Sequence, residues 1–518
     1  MAKTAYEIIA EIQDLYLSDS LPWVVGYSGG KDSTASLQLI WNAIASLPAD
    51  RRRFKPIHVI STDTLVENPV IAAWVQLSLA QMEVAALSQQ LPFKPKRLTP
   101  SLENRFWVSL IGKGYPAPRQ KFRWCTDRLK ISASTKFIQE LSEANGEAIL
   151  VLGQRRGESQ ARDKVIEQYK GSTRDRLSRN KDPKLSRVWV YLPIESWSSD
   201  DVWEFVIQHP NPWGISNQDL FDIYRGATPD AECPIVVDKS TPSCGDSRFG
   251  CYVCTMVSQD KSMQAMIQND EAKAWMQPIM DFRDRFLAVK DHDVREFRRM
   301  GGNITWKNGR LVPGPYTQQR RALLLEELLK TQEAVRGKAR GFEQLELIGT
   351  DELDEIRRIW VQEKGELEDL LPGIYERATG KRFEGKELDA MPLDNSDLAL
   401  LKAVTQEWAE GNIPADSTVD SEARADELYK LTRALLANGF KGLQSRKRSK
   451  QLDELQKLLR DYAFLDRADA EDFAHNNLGT DEAMHVDDGD LTDEFEEAAE
   501  ANSKPAVISI VPARDLLV

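Results

Sequence analysis

Over the first 215 residues, short apolar runs alternate with longer stretches whose apolar residues recur every three or four positions. Such runs lie at 23–27, 56–61, 148–152 and 188–192, with a further strand candidate at 93–98, and each is closed by a polar, glycine or proline turn. Brief apolar runs with such boundaries read as strands buried on both faces, and strands separated by helical patterns read as a parallel sheet flanked by helices. The first run ends in Ser28-Gly29-Gly30, with a helix predicted to start near Ser33, and the second ends in Thr62-Asp63-Thr64. In such sheets ligands sit beyond the carboxyl ends of the strands, so one site is expected there. The stretch 70–87 is almost uncharged, interrupted by Gln76, Ser78, Gln81 and Glu83, and reads as a buried helix rather than a membrane span.

Beyond residue 215 the pattern changes. Residues 216–261 carry proline, glycine and cysteine without periodicity. Residues 262–465 read as mostly helical, with amphipathic spacing at 318–329 and 452–465 and a hairpin at 304–312 turning on Asn308-Gly309. The chain has no internal repeat and no long low-complexity linker. The expected organisation is therefore an α/β domain at 1–215, a Cys-rich segment at 216–261, a helical region at 262–465 and an acidic tail at 466–518, disordered or loosely helical. A chain of 518 residues is too long for one compact core, which agrees with several units.

Charge sharpens this picture at one point. The formal net charge is -13, yet residues 466–500 alone hold fourteen Asp/Glu against one Arg, so the rest balances at zero. The acidic balance describes a solubilising tail and says little about the working surface. Five cysteines in such a chain exclude a disulfide scaffold, and the amphipathic N-terminus with early acids is no secretory signal, so a reducing cytoplasm is expected and no membrane partner.

Candidate chemistry falls at two places. Ser28-Gly29-Gly30-Lys31-Asp32-Ser33-Thr34 lies between a strand and a helix, where two glycines let the backbone approach an anion and helix-start amides point at it. Lys31 adds a full charge, and the hydroxyls of Ser28, Ser33 and Thr34 add donors. The Walker spacing is absent. Separately, Cys233, Cys244, Cys251 and Cys254 fall within 22 residues, with none of the five histidines among them. Four thiolates can hold zinc or a cubane iron–sulfur cluster, and the irregular intervals lean toward [4Fe–4S].

The loop resembles the SGGxDS pyrophosphate (PP) loop of the ATP pyrophosphatases, which cleave ATP between the α and β phosphates. Four further elements resemble the phosphoadenylyl-sulfate (PAPS) reductase branch of that superfamily: Thr62-Asp63-Thr64, Arg123-Trp124-Cys125-Thr126-Asp127-Arg128-Leu129-Lys130, Gly153-Gln154-Arg155-Arg156-Gly157-Glu158-Ser159, and Leu192-Pro193-Ile194 with Trp197-Ser198-Ser199-Asp200-Asp201-Val202-Trp203. The resemblance implies ATP and Mg²⁺, with Ser28 to Thr34 and Asp63 around the nucleotide, Asp32 or Asp63 at the metal, and Arg155 and Arg156 clamping phosphate oxygens. Lys130 is either a contact for a second anion or a surface lysine. Trp197, Asp201 and Trp203 read as the cap and core of the next helix.

Within the branch, an assimilatory reductase carries a catalytic cysteine near its C-terminus, and here no cysteine follows Cys254. The sulfate adenylyltransferase small subunit lacks the cysteine cluster, and tRNA-thiolating enzymes show other cysteine spacings. The run 21–27, Asn211-Pro212-Trp213-Gly214, the C-x17-C-x2-C of Cys233, Cys251 and Cys254, and Pro313-Gly314-Pro315-Tyr316-Thr317 resemble the DndC family of DNA phosphorothioation sulfurtransferases. That resemblance implies an iron–sulfur ATP pyrophosphatase acting on the DNA backbone, with a cysteine desulfurase as sulfur donor and the companion proteins DndD and DndE. Lys31, Asp32, Arg155, Arg156 and Cys125 are its expected catalytic residues. Cys125 is either a cluster ligand in place of one of the four or a sulfur-relaying thiol, with Arg123 and Arg128 expected to favour its thiolate. Between residues 155 and 187, eleven Lys/Arg face five Asp/Glu, a strip that suits a phosphate backbone or equally a solvated loop. Two other readings remain: an enzyme acting on a small sulfonucleotide, and a non-catalytic nucleotide-binding scaffold of a DNA-modification complex.

Overall fold

The computed structural model describes residues 2–120, 122–157, 176–228, 249–338, 345–388, 393–411, 421–444 and 466–477, with a few isolated positions between them. Its centre is a seven-stranded sheet in the order β3-β2-β1-β4-β7-β6-β5. The strands are β1 (Trp23–Gly26), β2 (Ile57–Thr62), β3 (Phe93–Leu98), β4 (Ala148–Val151), β5 (Thr173–Arg174), β6 (Leu177–Arg179) and β7 (Val188–Tyr191). The five expected runs are β1, β2, β3, β4 and β7, and all pair in parallel. β6 and β5 extend the sheet antiparallel beyond β7.

Alternation along the strands serves two apolar layers. Trp23, Val25, Ile57, Val59, Ile149 and Val151 enter the larger core, and Val24, Ile60, Leu150, Val188 and Val190 enter a second core closed by α4 (Ser132–Asn145) through Ile138. Burial on both faces is why β1, β4 and β7 are continuously apolar, whereas the edge strand β3 exposes Lys94, Lys96 and Arg97. The larger core also takes in α1 (Ala5–Ser18), α2 (Lys31–Ala45) and, from the helical region, Leu324, Leu325, Leu328, Ile356, Ile359 and Trp360.

α3 (Pro69–Ser88) is the one helix among the described residues long and apolar enough to cross a membrane. It buries Ile71, Trp74, Val75, Leu79 and Met82 but leaves Leu77, Val84 and Leu87 exposed, so the expected burial holds for one face. Asn308 and Gly309 both take positive φ between strands Trp306–Lys307 and Arg310–Leu311, as a two-residue hairpin turn requires. The expected cap is present: Ser198 and Asp201 form a capping box for the helix Ser199–Gln208, with Trp203 fully buried behind it. In the acidic segment, Arg467–Asn477 is a helix whose Ala470 and Ala474 pack on Phe297 and Leu311. Cys233 and Cys244 lie outside the described residues.

Candidate functional site

The chain runs from β1 outward to β2 and β3, then returns to place β4 on the other side of β1. That reversal opens a crevice beyond the carboxyl ends of β1 and β4, the position where open α/β sheets bind ligands. The loop from Tyr27 to Gly30 lies on one side of it, and residues 152–157 lie on the other.

Gly30 is the N-cap of α2 and supplies no capping side chain, so the helix begins at Lys31, two residues earlier than the spacing suggested, with its N-terminus open to an anion. Ser33 braces the loop: its hydroxyl accepts from the Ser28 amide at 3.2 Å, contacts the Ser28 hydroxyl at 3.1 Å and donates to Gly30 O at 3.0 Å. Gly29 has φ +76°, and a Cβ there would stand 2.5 Å from Val75 of α3. Trp74 of α3 donates to Gly29 O at 3.0 Å, so this helix clamps the loop from outside. Thr34 is fully buried beside Tyr27, whose hydroxyl burial pushes up to about 12; its side chain belongs to the packing under the loop.

The charges of the crevice are paired with one another. Lys31 Nζ lies 3.4 Å from Asp32, and Arg155, buried after β4, donates from Nε to the other Asp32 oxygen at 2.5 Å. Gly153 lets the two segments meet, since a Cβ there would lie 2.7 Å from Asp32 O and 3.0 Å from Ser33 Cα. Asp63, at the end of β2, takes a two-pronged contact from Arg97 at the end of β3. Arg156 turns to Glu195, its Nε donating at 2.7 Å, so the structure brings Arg155 to the loop and holds Arg156 on the turn after β7. Of the basic strip, Arg176 faces Asp14 and Arg179 pairs with Glu147 over the Trp189 ring.

Three thiols gather beside this crevice. Cys251 forms an isolated antiparallel bridge with Glu67, Tyr252 N donates to Val66 O at 3.0 Å, and Cys251 Sγ lies 3.4 Å from the Thr64 hydroxyl, next to Asp63. Cys254 N donates to Cys251 O at 3.0 Å, closing a tight turn, and the buried Arg283 grips that turn by donating to Cys254 O at 2.8 Å and Ser258 O at 3.2 Å. Cys125 caps the π-helical segment Thr126–Ile131. It lies near enough for the charges of Cys125, Cys251 and Cys254 to act on one another and on Lys130. Burial lowers the affinity of Lys130 for its proton, but Cys251, Glu67, Cys125 and Cys254 together raise it above the usual value, and its Nζ stands 3.7 Å from Glu67. Lys130 thus pairs with Glu67 within electrostatic reach of the three thiols.

The expected thiolate at Cys125 is corrected. Arg123 folds back onto Gln120 O, and Arg128 binds Asn104 and Tyr115, so neither serves the sulfur. Burial pushes the Cys125 thiol up to about 11, with Cys254 adding to the rise, and burial pushes Cys251 up to about 12. Among the described residues no three ligating side chains stand at separations that would hold a metal ion. The donor type suits a thiophilic centre: three free thiols from two segments, with Cys233 and Cys244 outside the described residues.

Sequence reasoning missed the groups that join the two places. Tyr224 accepts from Lys31 N at 3.3 Å, lies 5.7 Å under the Lys31 ammonium, and packs edge-on against Phe249, two residues before Cys251. Tyr224 sits on a helix with no motif around it, so no local signal marks it. Glu67 and Arg97 have weak signals: a carboxylate three residues past the Thr-Asp-Thr turn and a cation at a strand end.

Residues 22–256 match the family described as the phosphoadenosine phosphosulfate reductase domain. The uncharacterized protein MJ0066 of Methanocaldococcus jannaschii is 28% identical over 302 residues, which is 58% of this chain and 49% of that protein. The chain thus spans about half the length of the curated relative it matches. Among solved structures, the PAPS reductase of Candida auris in a phosphate complex aligns with 42% of this chain and 92% of its own, at 13% identity and a TM-score of 0.25. The U34-tRNA thiolase NcsA of Methanococcus maripaludis with its [4Fe-4S] cluster aligns with 55% of this chain and 80% of its own, at 14% identity and a TM-score of 0.26.

Proposed function

We propose that the PAPS reductase-like domain at residues 22–256, of the PP-loop superfamily, makes this chain an ATP-dependent sulfurtransferase of the DndC kind acting on the DNA backbone. What chiefly supports the reading is the adjacency of the nucleotide loop and the thiols, joined through Tyr224 and Phe249 to Cys251. A backbone phosphodiester has no leaving group at its non-bridging oxygen. Attack of that oxygen on the α phosphorus of ATP forms a mixed anhydride and expels pyrophosphate. A persulfide anion then attacks the DNA phosphorus and AMP departs with the original oxygen. A second thiolate cleaves the S–S bond, leaving the phosphorothioate and a disulfide that an external thiol reduces.

The protein's task is positioning and charge neutralisation. Lys31 and the open start of α2 hold the departing pyrophosphate, and Arg155 steadies Asp32 and the loop. Asp32, in the first turn of α2, and Asp63, directly after β2, are the carboxylates for Mg²⁺, which would offset phosphate charge. Cys251 and Cys254 with Cys125, Cys233 or Cys244 are the thiolates for a [4Fe–4S] cluster, which would supply an iron site able to carry sulfide. Lys130 holds negative sulfur in place beside them. A cysteine desulfurase is the source of sulfur, and DndD and DndE are the companion proteins.

The match to a reductase domain favours one competing reading, reduction of a small sulfonucleotide. Purified chain given ATP, DNA and a persulfide donor is expected to form AMP and pyrophosphate. DNA from cells carrying this chain with its companion proteins is expected to lose phosphorothioate dinucleotides, read by mass spectrometry, when this chain is deleted. Unchanged phosphorothioate with altered sulfite favours the sulfonucleotide reading, and no AMP under any condition favours a scaffold.

A further inference from the structure

The Pro313-Gly314-Pro315-Tyr316-Thr317 element lies some 190 residues beyond Cys125 in sequence, yet its contacts lead to the loop that presents Cys125. Tyr316 N donates to Gly114 O at 2.7 Å, and the Tyr316 hydroxyl accepts from Ala117 N at 3.0 Å. One buried tyrosine therefore fixes both ends of the Gly114–Ala117 turn. Its hydroxyl proton goes to Asp291 at 3.0 Å, and Asp291, almost wholly buried, also binds Arg119 at the far end of the same loop.

The element itself is held rigidly. Arg295 donates to Gly314 O and Pro313 O, both at 2.7 Å, and Arg321 reaches Tyr316 O at 3.3 Å while it pairs with the buried Glu366. Gly314 packs so closely on the Arg298 carbonyl that any Cβ would overlap it. From the clamped loop, two bonds run on to the thiols. Trp124, directly before Cys125, donates to Pro116 O at 2.9 Å, and Thr255, directly after Cys254, donates to Pro118 O at 2.5 Å.

We propose that Tyr316 is a positioning residue for the thiol site: through Ala117 and Asp291 it fixes the loop 114–119, and that loop sets the placement of Cys125 against Cys254. The inference rests on the sulfur-handling reading for its purpose, but not for its test. A connected network of hydrogen bonds has few soft degrees of freedom, so removing its central hydroxyl raises local opening of the loop without unfolding the domain.

The test uses the full-length chain, reduced and stripped of metal with chelator, so that it needs no ATP, DNA or iron. Iodoacetamide labelling is followed cysteine by cysteine by mass spectrometry. Tyr316→Phe keeps the buried ring and is expected to raise the labelling rate of Cys125 by about tenfold, while Cys254, gripped by Arg283, changes by less than about twofold. Thr255→Val cuts the same bridge from the other end and is expected to release Cys125 similarly, which keeps the test open should Tyr316→Phe fold poorly. Tyr16→Phe is the control, since it removes a buried hydroxyl that donates to Lys55 O at 2.8 Å outside this network. Unchanged Cys125 labelling in both loop variants, or an equal rise in Tyr16→Phe, would overturn the proposal. Failure of AMP formation in the wild-type chain would instead strike the function proposed above and leave the labelling result standing.

Discussion

Gly153→Ala is the smallest change that tests whether the strand ends and the nucleotide loop form one rigid site. The added methyl would meet Asp32 O at 2.7 Å, Asp32 C at 2.8 Å and Ser33 Cα at 3.0 Å. Comfortable carbon contacts lie at about 3.5–4.0 Å, so the first turn of α2 and the end of β4 must separate by roughly 0.7 Å. All three atoms are backbone, so no side chain can swing away. Overpacking of this kind costs about 1–3 kcal/mol. The same displacement moves Arg155 relative to Asp32, and a misplacement approaching 1 Å at a reacting centre lowers turnover by about a hundredfold. Thermal unfolding by tryptophan fluorescence and AMP release from ATP read the two effects separately. Gly411→Ala, with nothing within 4 Å of its Cβ, is the matched control and is expected to be neutral. If Gly153→Ala melts with the wild type and turns over at its rate, the two segments are not packed as described and the reasoning fails.

Three further outcomes are expected. Lys31→Ala leaves the fold intact and lowers AMP formation by about a hundredfold or more, because the loop loses its one full charge toward pyrophosphate; retained turnover would place the phosphates elsewhere. Cys125→Ser separates two roles in anaerobically purified protein: lost iron and colour make it a cluster ligand, full iron without sulfur transfer makes it a relay, and tightly bound zinc in colourless wild-type protein would remove the iron–sulfur proposal. Glu352, pushed up to about 7 by burial against the opposing Gly349 N–H and Arg105, is bound to its proton more tightly in the folded chain than in the unfolded one. Its contribution is therefore favourable below about pH 4.5 and is lost as pH rises through 7, on the order of 3 kcal/mol. Glu352→Gln is expected to flatten the fall in urea midpoint between pH 5 and 8, and parallel pH profiles would refute this.

The parts of this site that were legible in the sequence share one property: their cause is local. β1 and β4 announce themselves because both faces of a central parallel strand are buried, leaving an unbroken apolar run. The loop announces itself because close approach to a phosphate needs glycines, a cation and a helix start within a few residues. The thiol group has no such local cause. Cys125 and Cys254 meet through Pro118, Thr255, Ala117 and Tyr316, drawn from three separated segments, and only the folded chain assembles them. The same distinction explains the misjudged arginines. Arg123 and Arg128 are sequence neighbours of Cys125, but Arg123, ahead of the π-helical segment, folds back to Gln120 and Arg128, within it, reaches Asn104 and Tyr115. Lys130, five residues on, lies within electrostatic reach of the sulfurs. On a helical segment the residue at i+5 can share a face that i+3 leaves, especially where the turn is widened to the i+5 hydrogen-bonding pattern. A regular α-helix, at 3.6 residues per turn, would set Lys130 at a different angle from Cys125. The cation opposite the sulfurs follows from that local backbone geometry, which the order of residues alone does not reveal.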